Sequence, residues 1–138
     1  MPAKDLYHDV VVAALVKDNW LVTDDPLTLP FGSRDLLVDL GAERIIAAER
    51  GAERIAVEIK SFGSPSEMND LEKAIGQFVL YGDVPTTVES DRVLFPAIRS
   101  ETFLTVFQEP IGQMVLNNGR LRLLVFDPAT AEVLQWLP

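Results

Sequence analysis

The chain has 138 residues, 48% of them hydrophobic and 24% charged, which suits one folded domain over 1–138 and argues against intrinsic disorder. It holds no cysteine and a single histidine, so disulfides, thiolate catalysis and zinc sites built on Cys or several His are excluded. Twelve Lys and Arg against 21 Asp and Glu leave a net charge of −9, spread over both halves, so the chain alone is expected to bind nucleic acid weakly. Met1-Pro2-Ala3-Lys4-Asp5 lacks the basic-then-apolar pattern of a signal peptide, and there is no apolar run long enough for a membrane span, so a cytoplasmic protein without membrane association is expected.

From Lys4 to Asn19, Leu6, Val10, Ala13, Ala14 and Val16 recur mostly at three- and four-residue spacing, which predicts an amphipathic helix. Trp20 to Thr23 reads as a short strand, broken by Asp24-Asp25-Pro26 and followed by a loop through Pro30-Phe31-Gly32. Leu36 to Leu40 is apolar apart from Asp39, as in a buried strand. The runs Ile45–Glu49 and Arg54–Lys60 are joined by a short connection containing Gly51, which predicts a hairpin. A helix follows the loop Ser61–Pro65, capped either at Ser64 with Glu67 or at Asn69 with Glu72, and it ends near Gly82. Arg92–Ala97 reads as a strand, Ser100 caps a helix toward Gln108, and Pro110 opens another that stops at Asn117-Asn118-Gly119. Strands Leu121–Phe126 and Glu132–Leu137 flank the turn Asp127–Thr130. The order α-β-β-β-β-α-β-α-α-β-β predicts an α/β fold, a mixed sheet with a central hairpin flanked by helices. Neither GxGxxG nor a Walker A sequence is present.

The stretch Val57-Glu58-Ile59-Lys60 carries the unusual chemistry. Strand periodicity puts Glu58 and Lys60 on one face, roughly 6.6 Å apart along the strand. Burying a carboxylate and an ammonium group among apolar neighbours is costly unless they are paired or bind a metal. If the strand holding Asp39 lies alongside, two carboxylates converge beside an ammonium group, a hard oxygen set that suits Mg²⁺ or Mn²⁺. The competing reading is an exposed hairpin face with a same-side ion pair worth at most about 1 kcal/mol. Glu43 and Glu49 are rival carboxylates, with Glu49 expected at the hairpin tip, and Asp35 is expected in a surface pair with Arg34. Asp9 lies near the start of the first helix, where the helix dipole favours an acidic residue. His8 is solitary and no Gly-x-Ser-x-Gly sequence occurs, which argues against a serine hydrolase.

Asp39, nineteen positions before Glu58-Ile59-Lys60, resembles the signature of the PD-(D/E)xK nuclease superfamily, with Val38 where the pattern has proline. Gln77-Phe78-Val79-Leu80-Tyr81 matches the QxxxY element of some of its branches, and Gln77 and Tyr81 share one helical face. Over nearly its whole length the chain also resembles the XisH family, the fdxN element excision controlling factors of cyanobacteria. The stretches that carry this likeness include Lys4–Asp9, Asp25–Leu29, Leu40–Glu43, Ala47–Gly51, Ala56–Phe62, Phe107–Pro110 and Phe126–Pro128. The resemblance implies a restriction-endonuclease-like fold and a role in site-specific DNA excision, with Asp39 and Glu58 as metal ligands, Asp9 as a further candidate ligand, Lys60 as catalytic lysine and Gln77 as an auxiliary polar group. It also implies Mg²⁺ or Mn²⁺ as cofactor, an XisI-like companion protein and a site-specific recombinase as partners. DNA is expected to be bound only in a complex, and the chain is expected to form a homo-oligomer. Two functions remain open on this basis: metal-dependent phosphodiester hydrolysis, or a catalytically silent control factor that binds the companion or the recombinase.

Overall fold

The segment Gly51–Ile59 (β5) is apolar on both of its faces over most of its length, and a strand of that kind has to be covered from both sides. The computed structural model, which describes residues 6–47, 51–84 and 92–138, places it in the middle of a mixed sheet. Around β5 run β1 (Leu21–Asp24), β4 (Leu40–Ala47), β6 (Arg92–Arg99), β7 (Leu123–Asp127) and β8 (Glu132–Leu137), in the order β1-β4-β5-β6-β7-β8. β4 and β5 form the antiparallel hairpin expected from the sequence, with Leu40 opposite Val57. β5, β6 and β7 are parallel, and β8 closes the far edge antiparallel to β7. Parallel neighbours need a crossover, and helix α2 (Glu67–Asp83) makes the one between β5 and β6.

The alternation along β5 sorts the two layers. Ile55, Val57 and Ile59 pack with Val11 and Leu15 of helix α1 (His8–Lys17) and with Trp20, Phe95 and Phe126. Ala56 points to the other side, into a cluster with Leu27, Leu29, Val38, Leu94 and Tyr81 of α2. Leu71 and Ala74 of α2 pack with Ile98, Phe107, Val115 and Leu123 in a further cluster, which takes in helices α3 (Ser100–Thr105) and α4 (Pro110–Asn117) and the 3₁₀ turn Val106–Gln108 between them. Gly112 is the contact point within that group. A Cβ there would collide with the carbonyl oxygen of Val106 and stand 2.6 Å from Phe107 Cα. Among the described residues no helix is long and apolar enough to cross a membrane.

The mixed sheet flanked by helices matches the expectation, and three details differ. The stretch read as a loop through Gly32 folds as a second hairpin, β2 (Leu27–Phe31) with β3 (Arg34–Val38), so five strands precede α2 rather than four. Pro26 and Pro30 hide it, yet a two-stranded ribbon has only edge strands and tolerates a residue without an N–H. Gly32, at φ 63°, occupies the two-residue turn. Second, Asp39 is not inside a strand: it forms a bend between β3 and β4, which belong to different sheets. Third, α2 is capped by Ser66, whose hydroxyl accepts from the Asn69 N–H at 3.1 Å. Ser64 instead donates to Asp70. The rival carboxylate Glu49 lies outside the described residues.

Candidate functional site

Three separate pieces of chain meet at the end of β5. The bend brings Asp39 against the last residues of the strand, and the two segments are tied by a reciprocal pair of hydrogen bonds. The Asp39 N–H donates to Glu58 Oε1 at 3.0 Å, and the Ile59 N–H donates to Asp39 Oδ2 at 2.8 Å. Each carboxylate thus satisfies a main-chain donor that the break in the ladder leaves without a strand partner. Lys60 follows on the same face, with Nζ 3.7 Å from Glu58 Oε2. From α2, Gln77 reaches across to hydrogen-bond Glu58. The four residues singled out as site residues in the sequence are therefore brought together.

The electrostatics are those of a strained cluster. Burial, first, and the neighbouring Asp39 charge, second, hold the Glu58 carboxyl above the usual carboxylate range; the Gln77 hydrogen bond, the Lys60 ammonium and the Asp39 N–H only partly offset them. The Glu58 and Lys60 side chains are 17% and 22% exposed, so the pair is no solvated surface bridge. Gln77 Oε1 is buried without a hydrogen-bond partner among the described residues. An orphaned acceptor beside two carboxylates is the partner that a coordinated water would need.

The donor set fits a hard divalent cation. Asp39 Oδ1 and Glu58 Oε2 are the oxygens not used on main-chain N–H groups. Mg²⁺ is commonly held by one or two carboxylates and keeps several waters. Among the described residues no group of three or more Asp, Glu or His side chains assembles into a metal cage, so water would complete the coordination.

The other candidates fall elsewhere. Asp9 is exposed on α1, and Asp35 is exposed on β3. Glu43 pairs with Arg54 at 3.4 Å. His8 is buried with Nε2 2.8 Å from Asp25 Oδ1. Tyr81, one turn beyond Gln77, is a core residue under the β2–β3 hairpin.

One feature was not singled out in the sequence. A cleft of about 250 Å³ adjoins the cluster, lined by Ile59 to Ser64 from the loop after β5 and by Asp70 and Lys73 from α2. Its signal was present: Lys73, Gln77 and Tyr81 recur every four residues and so share one face of α2.

The sequence matches the XisH protein family over residues 1–134. Two crystal structures are similar in fold and sequence. An XisH family protein from Nostoc punctiforme PCC 73102 is 34% identical with a TM-score of 0.84, the match covering 97% of this chain and 100% of that one. An fdxN element excision controlling factor protein from Anabaena variabilis is 37% identical with a TM-score of 0.85, covering 98% of this chain and 100% of that one. No curated protein matches the sequence significantly.

Proposed function

The chain belongs to the XisH family, and from that premise we propose that it is an element excision controlling factor whose Asp39–Glu58–Lys60 site carries out Mg²⁺- or Mn²⁺-dependent phosphodiester hydrolysis. The observation that carries this reading is the meeting of the bend, the end of β5 and α2 around two carboxylates, an ammonium group and an unmatched amide oxygen. The arrangement resembles the PD-(D/E)xK nucleases, which the order of helices and strands around the site also supports.

When bound, the cation would supply Lewis acidity at the scissile phosphate. The chain's own residues do the rest. Asp39 and Glu58 would hold the ion, and their main-chain hydrogen bonds fix both carboxylates relative to one strand end. Lys60, anchored next to Glu58, orients the attacking water and offsets charge developing on the phosphate. Gln77 Oε1 would accept a hydrogen bond from a water in the site and so fix its orientation.

The charge of −9 favours a second reading, a silent control factor on a nuclease scaffold. Partners with basic faces, an XisI-like companion and a site-specific recombinase, would associate readily with such a surface, and DNA would be met only within the complex. Supercoiled plasmid incubated with the chain and Mn²⁺, with and without the companion, separates the two. Hydrolysis predicts nicking that Lys60→Ala abolishes. Inert plasmid under every condition, with tight co-purification of the companion, refutes the enzymatic reading and favours the control factor.

A further inference from the structure

The cleft beside Lys60 carries two lysines, Lys60 and Lys73, and one carboxylate, Asp70, among its lining residues. Lys73 projects from the helix face that carries Gln77, and among the described residues it forms no ion pair, whereas Arg44, Arg54, Arg92 and Lys60 all do. The Ser61 hydroxyl has no hydrogen-bond partner among the described residues. Asp70 also lines the cleft, but one of its oxygens is already taken by the Ser64 hydroxyl at 2.8 Å and the Ser64 N–H at 3.3 Å. The loop is held in shape by Phe62. This residue is buried at φ 51°, a backbone conformation uncommon for a bulky side chain, and its ring stands edge-on to Phe107 at 6.0 Å.

Counting charges decides what the cleft can hold. Asp39, Glu58 and Asp70 outnumber Lys60 and Lys73 by one, so the bare site repels an anion. A divalent cation at Asp39 and Glu58 reverses the sign, because its two charges turn an excess of one negative into an excess of one positive.

We infer that the cleft takes a phosphate of the DNA backbone neighbouring the one at the metal, gripped by Lys73 and the Ser61 hydroxyl, and that it does so only once the carboxylate pair has been loaded with a divalent ion. This rests on the metal reading above and adds to it a phosphate-contact residue and an order of binding. It also accounts for a chain of strong negative charge acting on a polyanion: the local sign is set by the ion.

The test is fluorescence anisotropy with a short labelled DNA duplex, in EDTA and in Ca²⁺, alongside calorimetric titration of Ca²⁺ and Mn²⁺ into the protein alone. The wild-type chain should bind the duplex about tenfold or more tightly with Ca²⁺ than in EDTA. Lys73→Gln should weaken binding in Ca²⁺ by roughly three- to tenfold and lower the slope of log affinity against log salt by about 0.9, the share of one phosphate contact. Lys73→Arg should retain most of the affinity, and ion binding should be unchanged in both variants. Lys17→Gln, on α1 across the sheet, removes the same charge and should leave duplex binding unaltered. The inference is overturned if Lys73→Gln binds like the wild type, if Lys17→Gln loses as much, if EDTA makes no difference, or if the wild type holds no duplex in Ca²⁺. Failure of the chain to take up either ion would overturn the metal reading itself, and ion uptake without a Lys73 effect would overturn the cleft alone.

Discussion

Glu58→Gln should make the metal-free protein more stable at neutral pH. The substitution keeps an amide oxygen to accept the Asp39 N–H and removes a buried charge that faces a second carboxylate. It also gives up the attraction of Lys60. At 3.7 Å that attraction is roughly 4 kcal/mol at an effective dielectric of about 20. The Glu58 pKa is nevertheless raised, so burial and the Asp39 charge outweigh every favourable contact of the ionised form. Relief of such a site conflict is worth about 0.5–2 kcal/mol. For a chain of this length, at about 2 cal/mol/K of unfolding entropy per residue, that is a rise in Tm of roughly 2–7 °C.

The pH dependence follows from the same shift. A carboxyl with a higher pKa in the folded state than in the unfolded state binds more protons when folded. Its contribution to stability is therefore fully present below the unfolded pKa and lost as pH rises through the raised folded pKa. Thermal melts in EDTA from pH 4.5 to pH 8 should show the variant's advantage growing with pH and vanishing at the acid end. Excess Mn²⁺ should reverse the order, because the ion stabilises only the protein that binds it. A variant that melts below the wild type at pH 8 in EDTA, or an advantage independent of pH, would refute the assignment of Glu58 as a destabilised carboxylate.

Two further outcomes are expected. Gln77→Leu removes both the hydrogen bond to Glu58 and the orphaned oxygen, so Mn²⁺ affinity measured by calorimetry should fall by about 10–100-fold, as is usual for loss of a group supporting a metal ligand. An undiminished affinity would remove Gln77 from the site. Gly112→Ala forces a methyl group into the backbone of Val106 and Phe107, and chemical denaturation should register a loss of about 1–3 kcal/mol. A smaller loss would mean that α4 can move off the 3₁₀ turn at little cost.

Individual elements show where a sequence stops being informative. The β4–β5 hairpin, the α2 crossover and the closing β7–β8 pair were legible because each combines its own periodicity with its own turn chemistry. The β2–β3 hairpin was not. Its prolines are breakers in a central strand and are tolerated because, among the described residues, nothing pairs with its outer edges, a property of its neighbours rather than of its residues. The bend at Asp39 was invisible for a related reason. Val38 and Leu40 are both buried with Leu37 exposed between Leu36 and Val38, so the alternation continues through the point where the chain changes sheets. Lys73 was hidden by ordinariness, since a lysine on an exposed helix turn acquires meaning only from the loop across the cleft.

The sequence by itself determined the class of fold, the absence of thiol and multi-histidine chemistry, and the presence of Glu58, Ile59 and Lys60 at the end of an otherwise apolar strand, because these depend on local composition and on the two-residue period of extended chain. Only the tertiary structure decided that Asp39 meets the Glu58-Ile59 strand end through paired main-chain hydrogen bonds, that Gln77 reaches Glu58, and that Lys73 borders the cleft next to Lys60. Those are contacts between segments far apart along the chain. Their geometry is set by how the sheet, the bend and the crossover helix pack, which no single stretch of residues specifies.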